Sequence, residues 1–195
     1  MRKSEVLRKT KETSIKCEIN IDGSGKNEIS SKIGFFNHML ELFSTHSLID
    51  LNIYAEGDIN VDLHHTVEDC GYVLGESINK ALGDKRGINR YGFFYIPMDE
   101  CLSRCVIDFS GRPELVWKVN LSLEKLGEMD SELFEEFFKA FVKSAGVTLH
   151  IDNLYGSNNH HIIESCFKAF ARSIRTAIEV DKKIINKIPS SKGIL

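Results

Sequence analysis

The sequence contains the block His64–His65–Thr66–Val67–Glu68 and, 96 positions on, His160–His161–Ile162–Ile163–Glu164. Positions 64 and 160, 65 and 161, and 68 and 164 therefore carry the same residue types. Paired histidines followed by a glutamate, twice in one chain of 195 residues, mark an internal duplication. A duplicated chain must fold as two related units, and that constrains everything else. The repeat runs on through Val67, Gly71, Leu74, Ile78 and Leu82, matched by Ile163, Phe167, Phe170, Ile174 and Ile178. Spacings of three and four predict a one-sided amphipathic helix in each copy. Shorter helices are predicted upstream, over 35–47 and 131–145. There the offset is 98: Phe36, Leu40 and Phe43 correspond to Phe134, Phe138 and Phe141.

Between the short and the long helix each half has an alternating segment, 51–55 and 147–151, which predicts a half-buried strand. Ahead of the short helices come strand pairs. The first covers 15–21 and 26–33, joined through a turn at Asp22–Gly23–Ser24–Gly25; the second covers 93–98 and 101–109, with 114–121 as an extra strand. The expected fold is α+β, built of duplicated β-β-α-β-α half-domains, each a sheet with helices packed on one face. The first pseudo-repeat is placed at 1–86 and the second at 87–195, meeting near the Gly83–Gly87 stretch and forming one unit.

A formal net charge of −3 offers no reason for nucleic acid or an anionic membrane as partner. No apolar run is long enough to span a bilayer, and the N-terminal residues lack the apolar core of a signal peptide. The five cysteines, Cys17, Cys70, Cys101, Cys105 and Cys166, show no CxxC spacing. Reduced thiols in a cytoplasmic protein are the expectation. Cys70 and Cys166 follow the two blocks at matching positions, so zinc ligation is conceivable; burial as small core residues is the better reading.

On a helix, positions i and i+4 share a face. His64 and Glu68 thus face one way and His65 another; the second block behaves alike. Two such helices brought together would hold two metals, each taking a His and a Glu from one copy and the remaining His from the other. Imidazole with carboxylate suits zinc, iron, nickel or manganese, and two or three histidines with one glutamate leave positions open for catalysis. His38 on the first short helix and Glu136, its counterpart at the 98 offset, are further candidate ligands. A single helix-initial block could be a solvated polar end, a lone histidine such as His38 could be an ordinary polar residue, and with Glu132 and Glu135 the residue Glu136 also reads as an acidic surface face. In the tail, Pro189–Ser190–Ser191–Lys192–Gly193 offers backbone N–H groups, hydroxyls and an ammonium to an oxyanion. Arg90 and Arg112, the latter in a Gly–Arg–Pro turn, are candidates for the same role. Two rival classes share these ligands: a dinuclear metal hydrolase, and a non-enzymatic metal-storing or metal-sensing assembly.

The segments GFFNHML (34–40), AEGD (55–58), DLHHTVED (62–69), IPMDE (96–100), DFSGRP (108–113), NNHHIIESCFKAFARS (158–173) and the terminal PSSKG follow one another in an order that resembles the imidazoleglycerol-phosphate dehydratase family of histidine biosynthesis. The resemblance runs from about Arg8 to the C-terminus. It implies two Mn2+ ions per site, a homo-oligomer of 24 subunits with sites at subunit contacts, and dehydration of D-erythro-1-(imidazol-4-yl)glycerol 3-phosphate to 3-(imidazol-4-yl)-2-oxopropyl phosphate. Some relatives carry a fused phosphatase; the dehydratase activity alone is expected here. By the same resemblance His38, His64, His65, Glu68, His160, His161 and Glu164 are metal ligands. Glu136 stands where many members have histidine, which makes the donor set harder and more anionic. Glu12, Arg90, Arg112, Lys168, Ser190, Ser191 and Lys192 are implied as substrate contacts, with Glu12 as acid/base. The implied route holds the substrate ring as an imidazolate between two metals while the neighbouring hydroxyl leaves.

Overall fold

The computed structural model describes residues 2–195. The first half runs β1 (Lys3–Lys9), β2 (Thr13–Asn20), β3 (Asn27–Ser30), α1 (Gly34–Ser47), β4 (Asp50–Gly57) and α2 (His64–Leu82). The second repeats that order with β5 (Tyr91–Met98), β6 (Cys101–Asp108) and β7 (Glu114–Lys118). It then inserts a small hairpin, β8 (Lys125–Leu126) and β9 (Met129–Asp130), before α3 (Leu133–Ala145), β10 (Thr148–Tyr155) and α4 (Asn159–Ile178). Strand β2 shows how the sheets arise. Thr13, Ile15, Cys17 and Ile19 face the core, while Ser14, Lys16, Glu18 and Asn20 alternate outward. Strand β6 repeats the pattern with Cys101, Ser103, Cys105 and Ile107 inward. A period of two is what a sheet with one buried face requires.

The first half has one strand, β1, that the sequence pattern did not indicate, the second adds only the β8–β9 hairpin, and one expected pairing does not form. The sheets have the orders β1-β2-β4-β3 and β5-β6-β10-β7, so β4 lies between β2 and β3, which were expected to pair. The reason lies at Asp50. Its Oδ1 accepts the backbone N–H groups of Ser24 (2.8 Å) and Lys26 (3.0 Å), tying the Asp22–Gly25 turn to β4. Strand β4 then pairs antiparallel with β2 from Asp50 to Gly57, whereas short β3 pairs parallel on its far side. Strand β1 escaped notice because only Val6 in it is fully buried, with Leu7 exposed.

Helix α2 covers β1 and β2, and α4 covers β5 and β6. The helices join the halves crosswise: α1 packs on α4, and α2 on α3. Fully buried phenylalanines fill the seam. Phe36 meets Phe137 edge-on at 5.4 Å between ring centres, Phe137 stacks on Phe167 at 5.5 Å, and Phe43 stacks on Phe170 at 5.3 Å. At the α2–α3 crossing, Gly71 and Gly75 lie so near the Phe137 and Phe141 carbonyls that a methyl group would collide with them. No described helix is long and apolar enough to cross a membrane.

All five cysteines are buried. Burial pushes the Cys17 and Cys166 thiols up to about 12 and those of Cys70 and Cys105 further still. Neither Cys70 nor Cys166 joins a cluster of metal donors among the described residues. A thiol kept protonated and out of solvent is unreactive. Iodoacetamide at pH 8 is therefore expected to leave the native chain unmodified by intact mass, and to alkylate all five positions after denaturation. Labelling of Cys70 or Cys166 at the rate of a free thiol in native protein would contradict this burial.

Candidate metal centre

The duplicated blocks open their helices, and a polar side chain just ahead of each accepts its first N–H groups. Asp62 Oδ1 accepts the His64 N–H at 2.8 Å, and the Asn158 side chain accepts those of His160 (2.9 Å) and His161 (3.3 Å). With the helices started there, the i,i+4 geometry follows. His160 Nε2 lies 3.1 Å from Glu164 Oε2, and His64 Nε2 lies 4.0 Å from Glu68 Oε2.

The α1–α4 contact adds a third donor to the second block. His38 Nε2 stands 3.5 Å from Glu164 Oε2, and the donor atoms of His38, His160 and Glu164 all fall within 4.8 Å of one another. The Glu164 side chain is only 9% exposed, so its charge needs compensation. Burial opposes ionisation of Glu164, but Lys168 (Nζ at 2.6 Å), His160 and His38 outweigh it and hold the carboxyl below its usual range. Phe35 packs edge-on against the His160 ring at 5.1 Å. Two imidazole nitrogens and a nearly buried carboxylate, open on the imidazole side, fit a divalent ion of intermediate hardness.

The first block is less complete. His64, Glu68 and Glu136 do not form such a cluster; Glu136 Oε1 is instead held by Lys139 Nζ at 2.9 Å. Its neighbour Phe137 lies at the close crossing with Gly71, three residues beyond Glu68, so Glu136 sits on the helix turn that faces this block. The second histidine of each block turns away from its own glutamate. His65 Nδ1 lies 3.1 Å from Asp58 Oδ1, and its Nε2 lies 4.0 Å from Glu12 Oε1. His161 Nδ1 lies 2.8 Å from Glu100 Oε2, and its Nε2 lies 3.7 Å from Asp99 Oδ2.

The candidate phosphate residues separate into two places. Arg90 grips Asp108 through Nε (2.7 Å) and Nη2 (3.1 Å) and donates Nη1 to the Pro189 carbonyl at 3.0 Å. Arg112 is exposed beside them, its Nη1 donating to the Ser110 carbonyl at 3.2 Å, and Leu195 lies against Gly111. Ser190 Oγ accepts the Lys192 N–H at 3.2 Å, shaping the tail that also carries Ser191. Arg90, Arg112 and the tail thus form one basic arm. Lys168 belongs to the His38 side. Sequence reasoning missed Asp58, Asp99 and Glu100 as neighbours of the histidines. One signal was present: Glu12 and Glu100 stand in matching turns, directly before β2 and β6, five positions ahead of Cys17 and Cys105.

The sequence model of the family described as imidazoleglycerol-phosphate dehydratase matches residues 31–174. The dehydratase of that name from Agrobacterium fabrum is 54% identical over 194 residues, covering 100% of this chain and 98% of the relative. That from Azorhizobium caulinodans is 52% identical over 195 residues, covering 100% and 99%. The crystal structure of the Staphylococcus aureus dehydratase superposes with a TM-score of 0.83 at 44% identity, covering 92% of this chain and 99% of that one. The structure from Pyrococcus furiosus gives 0.82 at 32% identity, covering 97% and 100%. Fold and relatives together define an internally duplicated α+β enzyme of the hydro-lyase class. The chain belongs to the imidazoleglycerol-phosphate dehydratase family and serves histidine biosynthesis.

Proposed function

We propose that the chain dehydrates D-erythro-1-(imidazol-4-yl)glycerol 3-phosphate to 3-(imidazol-4-yl)-2-oxopropyl phosphate in the cytoplasm, at a site using two divalent cations, Mn2+ by family resemblance. The observation that carries this reading is the convergence of His38, His160 and Glu164 on one point. Two such ions would hold the two nitrogens of the substrate ring and favour its anionic form. The chain's residues do the rest. His64, Glu68 and Glu136 supply the second donor set, and His65 and His161 complete the two. The hydroxyl beside the ring leaves, the proton on the next carbon is removed, and the resulting enol becomes the ketone. Glu12, beside His65 Nε2, is the group assigned to move that proton. Arg90, Arg112, Ser190, Ser191 and Lys192 bind the phosphate, and Lys168 contributes from the metal side. Phosphate binding orients the reacting carbons.

The separation of Arg90 from Glu164 supports assembly of the site from several copies. The Arg90 N–H donates to the Ala177 carbonyl in the last turn of α4, whereas Glu164 is in its second turn. At 1.5 Å per residue these lie about 20 Å apart along the helix. A three-carbon substrate chain with bonds of about 1.5 Å reaches no more than about 8 Å. That separation favours a site in which the basic arm of one chain serves the donors of another, in a homo-oligomer that family resemblance puts at 24 subunits.

A metal-dependent ketone assay, with elemental analysis of the same preparation, tests the whole reading. Release of inorganic phosphate or an amine without ketone would favour a dinuclear hydrolase instead. Lys192→Ala is expected to raise KM about 10- to 100-fold, the weight of a lost charge-assisted hydrogen bond. Metal content should stay at the wild-type level. An unchanged KM would remove Lys192 from the phosphate site.

A further inference from the structure

We propose that Asp58 and Glu100 are positioning residues for the metal centre: each accepts the Nδ1–H of the second histidine of its repeat and so presents that ring's Nε2 as the donor nitrogen. The proposal rests on the two-cation reading above. An ionised carboxylate can only accept a hydrogen bond. The nitrogen 2.8 Å from Glu100 and the nitrogen 3.1 Å from Asp58 are therefore the protonated ones. In neutral imidazole the lone pair then sits on Nε2, and the ring cannot turn without giving up its carboxylate partner.

The contact occurs twice but is not built twice the same way. Glu100 comes from the turn before β6, and the matching turn before β2 carries Glu12, which stands at the Nε2 edge of His65. Asp58 follows Gly57 at the end of β4; the residue that follows Gly156 after β10 is Ser157, which has no carboxylate. Simple copying of one half into the other would have placed the acids alike. The two halves reach the same Nδ1 contact from different segments, which points to a requirement on the histidines.

The Glu100 carboxylate and the Asp58 backbone are held before any ion arrives. Glu100 Oε1 accepts from the backbone N–H of Asn158 (2.8 Å) and of Ser157 (3.2 Å), leaving Oε2 for His161. The Asp58 backbone N–H donates to the Glu12 carbonyl at 3.1 Å. The grouping of Glu100, Cys101 and His161 is not a separate metal site. Cys101 is buried, burial raises its thiol, and Sγ donates to Glu100 at 3.2 Å.

Titration of the intact, metal-free chain with Mn2+, followed by calorimetry and Mn2+ paramagnetic resonance, tests the assignment. In Glu100→Gln the amide oxygen still caps α4, but an N–H₂ group faces His161 Nδ1, which reverses the tautomer that Nε2 needs. About 10- to 100-fold weaker binding of one of the two ions is expected, with an altered resonance spectrum. Asp58→Asn should do the same to the other ion, and the double variant should weaken both. Wild-type uptake of two ions per chain with unchanged affinity in Glu100→Gln and Asp58→Asn would reduce both acids to helix and turn anchors and overturn the proposal. A wild-type chain that takes up no Mn2+ would overturn the two-cation reading beneath it and the assignment with it.

Discussion

Glu164→Gln is expected to lose one of two Mn2+ ions per chain and to lower kcat/KM by roughly 10³-fold or more. That factor corresponds to about 4 kcal/mol of transition-state stabilisation, the order of what a bound metal ion contributes to such a step. Glu164 is where three side chains converge. Its Oε2 is the common neighbour of His38 and His160, its Oε1 engages Lys168, and its side chain is 9% exposed. Glutamine keeps the volume and removes the charge, leaving Lys168 without its anionic partner. Elemental analysis and ketone formation, measured on one preparation with an unchanged circular dichroism spectrum, separate loss of metal from loss of fold. Two tightly bound ions in this variant would refute the ligand assignment.

Phe137→Ala should be the most damaging single change to the fold, at about 3–5 kcal/mol. Phe137 is fully buried and touches Phe36 and Phe167 as well as its neighbour Phe138, so it belongs to the core of both halves. Its carbonyl also lies against Gly71 at the α2–α3 crossing. A cavity there would loosen the helix that carries Glu136 along with the seam between the repeats. Denaturant unfolding at fixed protein concentration, since assembly couples to stability, reads the loss. A cost under about 1 kcal/mol would show that the phenylalanine seam repacks around the gap.

What could be read without coordinates was whatever depends on near neighbours along the chain. The alternation in β4 and β10, the apolar stripes of α2 and α4, and the His-to-Glu spacing of four each have a period set by backbone geometry, and each appears as expected. The first short helix likewise carried His38, from which the 98-residue offset is counted, and His38 reaches Glu164 in the folded chain. Its counterpart Glu136 was found by the same offset, but its carboxylate lies with Lys139 rather than with His64 and Glu68. The turn at Asp22–Gly25 was read correctly as a turn and wrongly as a hairpin, because the group that holds it, Asp50, arrives from a strand beyond α1.

Local pattern alone was therefore enough to establish a duplicated α+β chain with two imidazole-carboxylate sets, since residues within a few positions of each other have their relative directions imposed by helix and strand. Folding at long range was needed to bring Glu100 to His161 and the Pro189 tail to Arg90, and the β4–α2 connection had to turn back to set Asp58 against His65. Those partners come from separate segments, and no periodicity encodes which segments will meet. Glu100 reaches His161 because α4 packs across β5 and β6, an outcome of how the core is buried that no single stretch contains.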